Sequence, residues 1–182
     1  HYMSKTKTGN NRFLKIYNEN QILNLIRVHK SISRAELSKL TGLSPTATGT
    51  VVSALIEKGY VFESGEGQSK GGRRPLLLEL KPRSFYSIGL DVDVNYINIV
   101  VVDITGEVVY EKSVPPEQDA EFESTVKCMK GLVSEAINSC GIDSGKLLGI
   151  GISIPGLIDS DSHKIVLAPN LGWSDVDIKS PI

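Results

Sequence analysis

Between Ser33 and Pro45 the chain starts a helix, stops it and starts another, and no other feature constrains the fold as tightly. Ser33-Arg34-Ala35-Glu36 is a capping box, in which serine accepts from a backbone N–H and glutamate reaches back to the N–H of the cap. Leu37 and Leu40 are expected to point inward from a short helix that stops at Gly42. Ser44 caps again, and Pro45 at a first helical position forfeits no hydrogen bond. Only Thr41-Gly42-Leu43 is left for the turn, which makes the pair a helix-turn-helix. Val51, Val52 and Leu55 give its second helix a core face, with Thr48 one turn earlier on the same side. Gly59 ends it. Upstream, Phe13-Leu14, Tyr17, Ile22-Leu23 and Ile26 mark a preceding helix. Downstream, Tyr60 to Glu63 and Leu76 to Leu80 read as strands around a loop from Gly65 to Gly72, a hairpin that forms a wing.

The net charge of −1 over 182 residues conceals a segregation. Residues 1–83 hold 14 Lys+Arg against 6 Asp+Glu, whereas residues 84–182 hold 6 against 15. Two modules with different partners are expected, the basic one suited to nucleic acid. Lys81-Pro82-Arg83 is the expected boundary. Residues 1–10 read as a tag remnant and flexible N-terminus, with a histidine ahead of Met3, and 11–80 as a winged helix-turn-helix DNA-binding domain. Residues 84–182 form the second module. No apolar run approaches the ~18 residues of a membrane span, and no secretory pattern opens the chain. Cys128 and Cys140 are too few for a disulfide framework and match no zinc spacing, so a cytoplasmic protein without metal or cofactor is expected.

In the acidic half, Tyr86 to Val92, Tyr96 to Val102 and Val108 to Tyr110 form a three-stranded meander that turns at Asp103-Ile104-Thr105-Gly106. Phe122, Val126, Met129, Val133, Ala136 and Cys140 lie on one stripe of a helix closed by Gly141. Leu147 to Ile154 is a buried strand. The order βββαβ matches one lobe of the ribonuclease-H-like fold shared by sugar kinases, actin and chaperone ATPases. The class is α+β overall.

Pro45, Thr46, Gly49, Thr50 and Ser53 share the helix face opposite Val51 and Leu55. In a helix-turn-helix that face enters the major groove, and small hydroxylated residues allow close approach. A solvated helix face would carry similar residues. Gly71-Gly72-Arg73-Arg74-Pro75 is a slim basic segment of the kind that a narrow A·T-rich minor groove attracts, although a basic surface turn would look alike. Gly149 to Asp159 is a strand running into a glycine-bearing loop, a place where open α/β sheets bind ligands. Asn170 directs an amide either at sugar hydroxyls or into its own turn.

These stretches together resemble one family. Asn18 to Leu23, Ser33 to Leu37, Thr41 to Ser44, Gly65 to Pro75, Tyr96 to Asn98, Gly149 to Asp159 and Pro169-Asn170 are similar to the ROK (repressor, open reading frame, kinase) transcriptional regulators. Within that family they look most like the xylose-operon repressors of Gram-positive bacteria. The resemblance implies a homodimeric repressor that binds double-stranded operator DNA and is released by a sugar, with xylose as the expected effector. It implies DNA contacts from Arg34, Ser44, Pro45, Thr46, Gly49, Thr50, Ser53, Lys70, Arg73 and Arg74. Gly156 and Asn170 would line the sugar cleft.

Kinases of the family carry Asp-x-Gly-Gly-Thr in the first hairpin, where glycines admit ATP phosphates. Asp91-Val92-Asp93-Val94-Asn95 stands there instead, and the carboxylate of Asp93 would repel a phosphate. ATP binding and enzymatic activity are therefore not expected, which disfavours the alternative of a ROK-family sugar kinase with an N-terminal appendage. The family's Asn-Asp-Ala-Asn aspartate, second glycine-rich loop and Cys/His zinc site would fall beyond Ile182, in a second lobe.

Overall fold

The computed structural model describes residues 6–67, 74–117, 121–159, 161–162 and 164–178, with the backbone alone for 6–10. The chain divides into two compact units, residues 1–84 and 85–182.

The first unit opens with α1 (Thr6–His29), which begins inside the stretch expected to be a flexible N-terminus. The C-terminal half of α1 enters the core through the fully buried Ile22 and Ile26; Phe13, Leu14 and Tyr17 are exposed. A two-residue strand β1 (Ile32–Ser33) then leads into α2 (Arg34–Thr41). The capping box forms as expected: Ser33 Oγ accepts from the N–H of Glu36 at 3.3 Å, and Glu36 Oε2 accepts from the N–H of Ser33 at 3.0 Å. Gly42 closes α2 in the left-handed region at φ 72°, donating to the Ser38 carbonyl.

Leu37 is fully buried, but Leu40 is 51% exposed, which corrects the expectation that both point inward. A two-turn helix is covered along a single line, and three residues past Leu37 the side chain has rotated about 60° off that line. In α3 (Pro45–Glu57) Thr48, Val52 and Leu55 are fully buried, while Val51 lies at the margin. The wing strands are β2 (Val61–Glu66) and β3 (Leu76–Leu80), and β3 is central in the order β1-β3-β2. Strand β1 escapes sequence reading because two residues cannot display alternation; its pairing of Ile32 with Leu78 makes it a strand.

The second unit is built on β4 (Tyr86–Val92), β5 (Ile97–Asp103), β6 (Val108–Val114), α4 (Phe122–Cys140) and β7 (Leu147–Ser153). Its sheet has the order β6-β5-β4-β7, antiparallel except where β4 and β7 run parallel. Alternate residues of β4 and β5, from Ile88 to Val101, are buried and share one core with Val126, Met129, Leu132 and Ala136 of α4. The buried line on α4 runs one position away from Val133, which is only half-buried; Cys140 also packs against this core.

Asp103 is 4% exposed and organises the meander turn. Its Oδ1 accepts from Thr105 N–H at 2.8 Å, Thr105 Oγ1 at 2.6 Å and Glu107 N–H at 3.1 Å. On the surface Lys112 Nζ donates to both oxygens of Glu135 at 2.7 Å and Tyr110 donates to Oε1 at 2.9 Å, tying β6 to α4. Those two donors hold the Glu135 carboxyl below its ordinary range.

A second antiparallel sheet, with the order β10-β9-β8, follows: β8 (Leu157–Asp159), β9 (Lys164–Ala168) and β10 (Trp173–Asp177). Sequence reading leaves this region as loop. The strands are short, and all of β8 and most of β9 are exposed, so no alternation of apolar and polar residues marks them.

Candidate nucleic-acid interface and effector cleft

Ser44 caps α3 by accepting from Ala47 N–H at 3.2 Å, and Pro45 occupies the first turn. The helix consequently starts abruptly and turns Ser44, Pro45, Thr46, Thr50 and Ser53 to solvent, with Gly49 half-buried among them. Thr50 Oγ1 donates to the Thr46 carbonyl at 3.0 Å. Its donor is spent within the helix, leaving the methyl group and the oxygen lone pairs for a partner. Thr48, on the inner side, is fully buried and its hydroxyl has no partner.

A Cβ added at Gly49 would meet nothing within 4 Å, and the residue does not adopt positive φ. Nothing inside the protein therefore requires glycine there, although in a helix interior it costs about 1 kcal/mol relative to alanine. What glycine provides is a shallow spot on the outward face. Gly49→Ala is expected to raise stability by up to about 1 kcal/mol and to weaken DNA binding. Gly131→Ala on α4, equally unobstructed, is the control. It should stabilise alike in thermal melts and leave DNA affinity unchanged.

The wing leaves β2 through an irregularity between Glu63 and Gly65, with Gly65 at φ 148°. Gly67 N–H donates to the Pro75 carbonyl at 2.8 Å and closes the base of the wing. Lys70, Gly71, Gly72 and Arg73 lie outside the described residues. Arg74 is exposed, 3.9 Å from Glu66. Arg34, at the start of α2, donates to Glu63 Oε1 at 2.7 Å. Both guanidinium-bearing residues line one open cavity of about 370 Å³, together with Ser33, Ala35, Pro75 and Leu76. The structure thus brings Arg34 and Arg74 to a common surface, and it adds two carboxylates that sequence reading missed.

In the second unit Asn170 is exposed in the turn Pro169–Leu171 and lines a cavity of about 550 Å³. Asp93, Glu117, Thr125 and Trp173 also line it. Trp173 is 5% exposed, its ring edge-on to Phe122 at 5.2 Å, and its Nε1 is buried without an acceptor. These residues come from four separate stretches of chain, and of them only Asn170 is expected at a sugar cleft from the sequence. Gly156 is not part of this lining. A Cβ on it would stand 2.7 Å from the Leu167 carbonyl oxygen and 2.9 Å from Ala168 Cβ. Glycine is needed there so that the segment entering β8 can lie against the backbone that leads into Asn170.

The first hairpin closes on itself. Asp93 Oδ1 accepts from Asn95 N–H at 3.1 Å and Nδ2 at 3.2 Å, and Asp93 N–H donates to the Tyr96 carbonyl. A hydrogen bond to Asp91, chiefly, raises the Tyr96 phenol above its ordinary pKa. The carboxylate of Asp93 and the side chain of Val94 therefore occupy the turn at the positions where the kinases of the family have glycines. Among the described residues no group of His, Cys, Asp and Glu could hold a metal ion.

Residues 17–61 match the winged helix-turn-helix DNA-binding model, and residues 87–182, more than half of the chain, match the ROK family model. The chain belongs to the ROK family. Among curated ROK relatives, it is 39% identical over 170 residues to the xylose repressor of Bacillus subtilis (strain 168), covering 93% of this chain and 44% of that protein. It is 36% identical over 172 residues to the xylose repressor of Caldicellulosiruptor bescii, with coverages of 94% and 43%. The chain thus spans less than half the length of the curated relatives it matches. A crystal structure of a ROK family transcriptional regulator, a homolog of the E. coli MLC protein, superposes with a TM-score of 0.68 at 20% identity, over 90% of this chain and 41% of that one. It shows the same fold: a winged helix-turn-helix joined to a ROK lobe.

Proposed function

We propose that this protein is a sequence-specific repressor that binds operator DNA of a sugar-utilisation operon, with xylose as the effector in the full-length molecule. The observation that carries the reading is that one domain, rich in basic residues, has both the exposed face of α3, from Ser44 to Ser53, and a surface shared by Arg34 and Arg74. Helix α3 sits in the major groove and the wing arginines approach the adjacent minor groove. The xylose repressors among its relatives support the choice of operon and effector.

A homodimer on an inverted repeat, acting in the cytoplasm without enzymatic activity, completes the reading. Asp93 and Val94 in the first hairpin argue against a sugar kinase, because side chains replace both glycines and the carboxylate of Asp93 would repel a phosphate. No helix among the described residues is long and apolar enough to cross a membrane.

The sugar is held at the cavity containing Asn170, where the amide offers both a donor and an acceptor to hydroxyls. Gly156 contributes by bringing the backbone into position.

Fluorescence anisotropy of a labelled inverted-repeat duplex tests the DNA reading. Binding is expected at about 50 mM salt and should fall by orders of magnitude by about 200 mM, with a linear log–log slope set by the phosphates neutralised. Absence of binding at the lower salt, even with the chain artificially dimerised, would refute it.

A further inference from the structure

We propose that Glu63 and Glu66, on the strand entering the wing, compete with DNA for Arg34 and Arg74 and thereby hold down the affinity of this protein for DNA. The proposal rests on the DNA-binding reading above. Residues 1–83 carry six acidic side chains, and two of them stand beside arginines of the proposed interface. Glu63 holds Arg34 by a charge-assisted hydrogen bond of 2.7 Å, with the two side chains 38% and 35% exposed. Glu66 faces Arg74 at 3.9 Å, closer to a Coulombic neighbour than a hydrogen-bonded partner, with both side chains more than half exposed. All four groups are accessible to a polyanion.

A carboxylate offers a guanidinium the same kind of acceptor that a phosphate does, two oxygens in a plane. A phosphate competes with Glu63 for Arg34, and a carboxylate displaced in that competition sits beside the DNA. An operator complex that holds the arginines has therefore met a contact stronger than the pair it breaks. A random duplex, which does not seat α3 and the wing together, leaves the pairs closed and gains nothing from either arginine. Neutralising the carboxylates changes the two cases unequally. The operator complex recovers the whole cost of breaking the pair and the repulsion. The random complex gains no more than that, because a contact too weak to open the pair is worth less than the cost of opening it. The carboxylates thus hold down the affinity of both complexes, and of the operator complex at least as much.

The test uses the chain with Glu63→Gln and Glu66→Gln, singly and together, on two duplexes of equal length. One is selected by the wild-type chain from a random library, and the other is unselected. The double variant should bind the selected duplex roughly three- to tenfold more tightly at low salt. Binding to the unselected duplex should improve by the same factor or less, with the salt slope steeper by up to about one for each arginine it newly engages. Glu63→Gln should act much less in an Arg34→Met background, since the arginine it releases is gone. An equal gain in both backgrounds, an unchanged affinity for the selected duplex, a larger gain on the unselected duplex, or weaker binding by the double variant would overturn the proposal. Failure of the wild-type chain to bind either duplex would instead overturn the DNA-binding reading itself. Both glutamates are exposed and glutamine keeps their shape, so equal thermal midpoints should accompany the shifts in binding.

Discussion

Alanine at Arg73 and Arg74 should weaken binding to an A·T-rich operator by about 1–3 kcal/mol for each arginine that contacts it. The effect is expected on sequence preference as well as on affinity. A narrow A·T-rich minor groove deepens the negative potential, and a guanidinium inserted there reads groove width rather than base identity. The double variant should therefore lose its preference for A·T at the contacted steps and keep its preference at the positions read by α3. Thr46→Ala and Thr50→Ala should do the reverse, altering major-groove positions only. Folding should be indifferent to Arg74, whose nearest acidic partner is 3.9 Å away with both side chains exposed. Exposed pairs of this kind contribute about 0–1 kcal/mol. Selection of bound sequences from a random library, run on both variants, reads the outcome. An unaltered A·T preference in the double arginine variant would return the segment to an ordinary basic turn.

Gly156→Ala should destabilise the second unit by about 1–3 kcal/mol or more, as overpacking of a close contact does. The added methyl carbon would lie 2.7 Å from the Leu167 carbonyl oxygen and 3.1 Å from Ala168 Cα. Both are backbone atoms of β9, the central strand of its sheet, so no side-chain rotation relieves the clash. Strand β9 would have to move, and Pro169 and Asn170 follow it directly in the chain. The variant should accordingly lose affinity for sugar in the full-length protein beyond its loss of stability. Gly149→Ala, where a Cβ meets nothing within 4 Å, is the matched control and should melt with the wild type. Trp173, the chain's single tryptophan, lines the Asn170 cavity and reports both unfolding and occupancy by its fluorescence. Equal denaturation midpoints for Gly156→Ala and the wild type would show that the segment entering β8 is not packed as described.

The amino-acid sequence alone determined the elements whose signals are local. The capping box at Ser33, the left-handed stops at Gly42 and Gly141 and the restart at Ser44-Pro45 each depend on residues within about four positions of one another. The buried faces of β4 and β5 were equally legible, because period-two alternation is a property of consecutive residues. The outward face of α3 follows from the same logic. Tertiary structure decided everything that depends on who lies opposite. It made Ile32–Ser33 a strand by giving it β3 as a partner, left Leu40 and the α1 residues Phe13, Leu14 and Tyr17 uncovered, and paired the short strands β8, β9 and β10. It also joined Arg34 to Glu63 across 29 positions and gathered Asp93, Thr125, Asn170 and Trp173 around one cavity. Caps and periodicity are settled by bonds between near neighbours. Burial, charge pairing and close backbone approach are settled by chain segments that meet only once the fold has formed.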